Sequence, residues 1–161
     1  AFAELIKIRP TAILLIVGSK SFESDYPDRL KNLVSEFGLE KSVRFLGNIA
    51  AKDVAQYYHA ADIFALGTQR EGCCNAVLES LACGVPVITT PVGDNEYFVN
   101  DGLNGYIVPV DDVAAMAKVI IDAVERKDWN PSEISGNLAV GDWNAVAADV
   151  IKFFSESIRR A

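Results

Sequence analysis

The chain is poor in the residues that build metal centres and redox sites. Its 161 residues hold one histidine, His59, and three cysteines, Cys73, Cys74 and Cys83. That odd cysteine count lacks the paired spacing of a zinc site, and no second histidine is present to complete one. The thiols read instead as small, reduced hydrophobes of a cytoplasmic protein. Positive charge is short as well. Fifteen Lys and Arg against 22 Asp and Glu leave a formal net charge of −7, which argues against a broad surface that tracks nucleic-acid phosphates. Any phosphate bound here must be held by backbone amides, a helix end or a few local cations. No apolar run reaches the ~18 residues of a membrane span, and no signal peptide is visible. The first apolar run is not followed by Gly-x-Gly-x-x-Gly, which makes a dinucleotide-dependent oxidoreductase a weak reading.

What is present is a globular composition, 50% hydrophobic and 23% charged, of a length that suits one domain with a real core. The opening AFAELIKIRP carries a helical stripe through Phe2, Leu5, Ile6 and Ile8 that Pro10 stops. It starts without Met and reads like the middle of a longer protein. AILLIVG, Ala12 to Gly18, is a continuous apolar run of the kind a parallel strand buried on both faces has. A polar helical stretch from Tyr26 to Phe37 follows, ended by Gly38. The alternation then repeats, with a strand Val43 to Gly47, a helix Asp53 to Ala60 and a strand Asp62 to Gly67. Further strands are expected at Val85 to Thr90 and Gly105 to Val110. Helices are expected after Asp111 and Asp112, through Arg126, and from Asp142 to Arg160. This order implies an α/β domain, a Rossmann-like parallel sheet with helices on both faces. In such sheets ligands bind beyond the carboxyl ends of the strands. The turns at Gly18 and Ser19, at Leu46 and Gly47, and from Gly67 to Asn75 are therefore expected to converge on one crevice, with Pro91 to Asn95 as a further wall.

The central stretch is Arg70 to Pro86, REGCCNAVLESLACGVP. Asn75 is a plausible N-cap, Gly84 a left-handed C-cap, and Pro86 cannot continue the helix, which leaves AVLESLAC between them. Ala76, Val77, Leu78, Leu81, Ala82 and Cys83 make this helix apolar on most sides, so Glu79 needs an explanation. It has Asn75 at i−4 and Cys83 at i+4, and hence no helical ion pair. The helix N-terminus is a ready anion site, and Gly72 allows close approach of the backbone. Glu79, one turn in, would accept from the two ribose hydroxyls of a nucleotide, and Glu71, on the loop before the helix, would point past the phosphates to what they carry. The bland reading is a capped helix with two solvated glutamates. His59, beside Tyr57 and Tyr58, reads as a surface or packing residue, and Trp129 and Trp143 as core or interface.

The run EGCCNAVLESLACGVPVITTPVGDNEYFVNDGLNGYIVP resembles the paired-glutamate signature of the retaining group 1 glycosyltransferases (family four) of the GT-B fold. IVGSK, VRFLGNI and YYHAADIFALGTQREG match in the same order and spacing, so the resemblance covers nearly the whole chain. It implies a single nucleotide-sugar donor domain over residues 1–161, with the acceptor-binding amino-terminal domain missing. It further implies that Glu71 contacts the donor sugar near the reacting carbon and that Glu79 holds the ribose. Gly72, Cys73, Cys74 and Asn75 would hold the distal phosphate, and the base would rest near Leu46 with Gly18 and Ser19 close by. The sugar would be carried by UDP, GDP or ADP, and no metal would be needed, in keeping with the absence of an Asp-x-Asp pair. A retaining hexosyltransferase follows, acting in the cytoplasm or peripherally at the inner face of a membrane, with polysaccharide biosynthesis among its pathways.

The sequence departs from the family in places. The basic pair that clamps the diphosphate in the family would precede this chain, and Lys20 and Arg70 do not occupy its positions. Two consecutive cysteines, and GDN at Gly93 to Asn95 in place of a Gly-Gly pair, bear on donor choice. The piece alone is expected to bind donor weakly and transfer little. The alternative is a non-catalytic nucleotide-binding or interaction module of the same fold.

Overall fold

The computed structural model of the chain describes residues 1–18, 26–138 and 143–159. Ser19 and Lys20 lie outside the described residues. In order, the elements are α1 (Phe2–Ile8), β1 (Leu14–Val17), α2 (Tyr26–Glu36), β2 (Val43–Gly47), α3 (Ala51–His59), β3 (Phe64–Leu66) and α4 (Asn75–Ala82). They continue with β4 (Val87–Thr89), α5 (Asn95–Phe98), β5 (Gly105–Ile107), α6 (Val113–Glu125), α7 (Pro131–Gly136) and α8 (Trp143–Arg159). Every described ladder is parallel, as alternating strands and helices require. The strands form two ladders, β1-β2 and β3-β4-β5, rather than the one sheet expected. They are also shorter than their apolar runs, since β3 to β5 pair over only three positions each.

Strand side chains alternate between faces, and the core divides accordingly. On one face of the three-stranded ladder Val87 packs with Val77 and Leu81 of α4 and Ile134 of α7, joined by Phe64, Leu66 and Ile107. On the other, Ile88 and Val108 pack with Leu5 of α1 and with Ile120 and Ala123 of α6, joined by Ile63 and Tyr106. Helices thus cover both faces. This is why the run around β4 reads VPVITT with no polar break before the threonines. Trp129, half-buried, packs against both clusters, donates to the Ala123 carbonyl at 2.9 Å and carries the Arg126 guanidinium 4.0 Å above its ring, so it serves packing between them. The side chains of α8 that can be described, Val146, Val150, Ile151 and Phe153 among them, are exposed.

The end of α4 is set by Gly84, at φ +76°. Its N–H bonds the Leu81 carbonyl at 2.9 Å and that of Val85 bonds Ser80 at 3.0 Å, the paired closure of a left-handed cap. A Cβ at Gly84 would stand 2.7 Å from the Pro131 carbonyl oxygen, so the α4–β4 turn and α7 also need glycine there for space. Buried Ser80 donates to the Val85 carbonyl at 3.2 Å and satisfies its own hydroxyl in an otherwise apolar helix.

Candidate functional site

The start of α4 differs from the sequence expectation. Asn75 is the first helical residue and caps nothing; Cys74 occupies the N-cap with extended backbone and no side-chain cap. Its side chain is buried in the core with Val77 and Leu81, and its carbonyl accepts from the N–H groups of Val77 (3.1 Å) and Leu78 (3.3 Å). Packing therefore decided the cap: the buried thiol anchors the turn and leaves the Asn75 side chain exposed. As a result, the N–H groups of Cys74, Asn75 and Ala76 meet no protein acceptor among the described residues. An uncapped helix tip of this kind carries partial positive charge and donors for an anion. Cys73 is exposed beside it, unlike the small hydrophobe the composition implied, and all three cysteines are free thiols.

The loop between β3 and α4 is tied down along its length. Thr89 Oγ1 donates to the Leu66 carbonyl (3.0 Å) and Thr90 Oγ1 to that of Thr68 (2.5 Å). The Asp94 N–H donates to the Gly72 carbonyl at 3.0 Å. Gly93, at φ +55°, lies so close that a Cβ there would stand 1.9 Å from the Gly72 oxygen. The turn after β4 thus abuts the candidate phosphate loop through backbone. Asn95, expected as a crevice wall, is instead buried and structural. Its Nδ2 donates to Thr89 Oγ1 (3.0 Å) and the Thr90 carbonyl (3.1 Å), while its Oδ1 has no partner among the described residues.

Glu71 is exposed on this loop, with the Thr68 hydroxyl 3.4 Å from its Oε1. Glu79 is exposed on α4, where the Tyr58 hydroxyl of α3 stands 3.3 Å from its Oε2 and 3.2 Å from the Ala76 carbonyl. The two carboxylates share no hydrogen-bond partner among the described residues; the helix tip lies between them in the chain. Burial, and then the charge and hydrogen bond of Glu79, push the Tyr58 phenol well above its ordinary range. Burial and then Glu79 push the Cys83 thiol up too. Tyr58 thus stays a neutral donor aimed at a carboxylate.

Gly18 and Leu46 both lie at the carboxyl ends of the paired strands β1 and β2. The Gly18 N–H donates to the Gly47 carbonyl at 2.9 Å, and a register shift opposite Ile16 and Val17 leaves Leu46 as the unpaired residue of a bulge. The site residues therefore form two groups, Gly18 with Leu46, and Glu71 through Glu79. The face in front of α4 is open, with Gly72, Cys73 and Asn75 exposed. Two cavities lie at the two ends of the three-stranded ladder, and neither glutamate lines them. One, of about 140 Å³, lies at the carboxyl ends of β3 to β5, lined by Thr68, Gln69, Thr90, Asp111 and Met116 among others. The other, of about 200 Å³, lies at the amino ends of β3 and β4 by the C-terminal end of α4, beside His59, Cys83 and Trp129. His59 is a surface residue at the end of α3. Among the described residues no His, Cys, Asp and Glu group could hold a metal ion, and no helix is long and apolar enough to cross a membrane. Sequence reasoning placed Gln69 in the crevice loop but missed Tyr58 and Asp111 as parts of this region, because nothing local ties residues 21 or 42 positions apart.

The comparisons agree with this architecture. Residues 1–135 match the family model described as glycosyl transferases group 1. The chain is 31% identical to a D-inositol 3-phosphate glycosyltransferase of Corynebacterium jeikeium over 97% of its own length and 39% of that protein's. It is 28% identical to a protein of the same name from Frankia alni, covering 42% of it. The chain thus spans about two fifths of these relatives. Among solved structures, Anabaena HepE in complex with UDP superposes with a TM-score of 0.77 at 25% identity, over 98% of this chain and 43% of that one. HepE in complex with UDP-glucose superposes at 0.73 and 28% identity, over 82% and 36%. The sucrose-phosphate synthase of Thermosynechococcus elongatus superposes at 0.78 and 26%, over 99% and 42%. With parallel strands, helices on both faces and these GT-B neighbours, the chain belongs to the group 1 glycosyl transferases.

Proposed function

We propose that this chain is the donor-binding domain of a retaining hexosyltransferase whose donor is a nucleotide-diphosphate sugar. The observation that carries the reading is the uncapped α4 tip, with free N–H groups at Cys74, Asn75 and Ala76, flanked in sequence by Glu71 and Glu79. The distal phosphate sits on that tip with Gly72 and Cys73. Glu79 accepts from the ribose hydroxyls, Glu71 orients the sugar at its reacting carbon, and the base rests by Leu46, Gly18 and Ser19. The solved complexes of HepE with UDP and UDP-glucose support this choice of ligand. The sugar–diphosphate bond breaks while an acceptor hydroxyl attacks from the same face and passes its proton to the departing diphosphate oxygen. The remaining charge on the leaving group is met by helix dipole, amides and cations rather than a resident metal. We place the reaction in the cytoplasm or at the inner face of a membrane, with the acceptor held by a second domain of the same chain. Isothermal titration of the full-length protein with UDP, GDP and ADP sugars tests this. Saturable binding of one donor, followed by transfer that survives EDTA, is expected. Silence toward all three leaves a non-catalytic module of the same fold.

A further inference from the structure

We propose that Gln69 and Asp111 form a clasp that positions the Glu71 loop for sugar transfer, both acting as positioning residues rather than touching the donor. This rests on the donor-domain reading above. The Gln69 amide nitrogen donates to both carboxylate oxygens of Asp111, at 2.8 and 3.0 Å, across 42 residues of sequence. Asp111 is the one non-glycine residue at positive φ (+61°) among the described residues. It directly precedes Asp112, which caps α6 by accepting from the Ala115 N–H at 2.8 Å. The left-handed turn at Asp111 brings the chain from β5 into α6 beside the β3–α4 loop. Strain at a residue whose side chain then reaches over to a candidate site loop is the kind of outlier that points to a role.

The other ties of the loop hold its backbone: Leu66 is fixed from Thr89, Thr68 from Thr90, and Gly72 from Asp94. Between Thr68 and Gly72 lie Gln69, Arg70 and Glu71. Within that span the Thr68 hydroxyl makes only short-range bonds, to Arg70 and Glu71. Among the described residues the clasp is the long-range side-chain hydrogen bond of the three residues that include the sugar-facing carboxylate, beside the backbone packing of Gly93 against Glu71. It also closes one side of the 140 Å³ cavity, which both residues line. Gln69 and Asp111 are exposed, so the pair adds order to one loop rather than stability to the fold.

The test uses the full-length protein and the variants Gln69→Ala, Asp111→Gly and Asp111→Asn. Asn tolerates the left-handed backbone and keeps one acceptor oxygen, whereas Gly relieves the strain and removes the clasp. Gln69→Ala and Asp111→Gly are expected to lower kcat about tenfold with nucleotide affinity within twofold of wild type, and Asp111→Asn to keep at least half of kcat. Amide hydrogen exchange over residues 67–73 is expected to accelerate at least fivefold in the first two variants, without a fall in melting temperature for Asp111→Gly. Unchanged exchange and kcat within twofold in both overturn the clasp. Wild-type protein that turns over no donor would overturn the transferase reading and with it the catalytic role, while the exchange measurement still decides whether the clasp orders the loop.

Discussion

The hydroxyl of Tyr58 stands between two acceptors on the neighbouring helix, the Ala76 carbonyl at 3.2 Å and Glu79 Oε2 at 3.3 Å. One phenol thereby links α3 to the first turn of α4 and to the carboxylate we assign to ribose. Removing the hydroxyl with Tyr58→Phe is expected to cost about 1 kcal/mol of stability. It should also weaken nucleotide binding severalfold by freeing Glu79. Urea unfolding and titration with the nucleotide check the two effects separately.

The same contact has a pH signature. The folded phenol titrates above its ordinary value of 10.0, so the native state keeps its proton where the unfolded chain loses it. Stability from this source is whole below pH 10 and declines as pH rises beyond it. Wild type should therefore lose more stability than Tyr58→Phe between neutral pH and the alkaline range above 10. Parallel pH dependences in the two proteins would count against the shift.

Separate roles for the two glutamates require that they fail differently. On the proposed assignment, Glu79→Ala removes a charged acceptor of ribose hydroxyls, with an expected loss of about 1.5–3 kcal/mol, or roughly ten- to hundredfold in nucleotide affinity. Glu71→Gln is expected to leave the affinity for the free nucleotide diphosphate within twofold and lower kcat roughly a hundredfold or more, the scale seen when one group that stabilises a transition state is removed. Calorimetry and steady-state transfer kinetics on the full-length protein distinguish them. Equal effects of both substitutions on binding would remove the division of labour.

Gly93→Ala tests the contact between the turn after β4 and the candidate phosphate loop. A Cβ at this position would lie 1.9 Å from the Gly72 carbonyl oxygen, on a backbone at φ +55°. The clash is with backbone, which has little room to give, so loss of both melting temperature and nucleotide binding is expected. Gly102→Ala is the control. It has the same sign of φ but open space around it, so it should cost only the strain, about 1–2 kcal/mol, and leave binding intact.

Thiol labelling reports on the helix tip without kinetics. Cys73 is exposed, Cys74 buried in the core, and Cys83 half-buried with a thiol pushed up by burial and by Glu79. Iodoacetamide at neutral pH is expected to modify Cys73 first, and bound nucleotide to slow that reaction. Mass spectrometry of the labelled peptides reads the order. Protection absent at saturating nucleotide would place the phosphates elsewhere.

The sequence alone determined the alternation of strands and helices, the parallel pairing it entails and the left-handed stop at Gly84, because these follow from local apolar runs, turn chemistry and backbone sterics. The ordered motif around Glu71 and Glu79 was legible for the same reason: its residues are close in the chain. What tertiary structure decided depends on partners far away in sequence. Asn75 lost the cap because burying the Cys74 side chain against Val77 and Leu81 fixed the first turn one residue earlier than side-chain preference would. Asn95 became a buried strut because Thr89 and Thr90 accept its amide. The two short helices α5 and α7 gave little periodic signal, being four and six residues long. Tyr58 above Glu79, and Gln69 against Asp111, exist only once α3 has packed on α4 and the β5–α6 turn has reached the β3–α4 loop. No local propensity encodes such meetings, since a side chain's partner is chosen by where the backbone brings it.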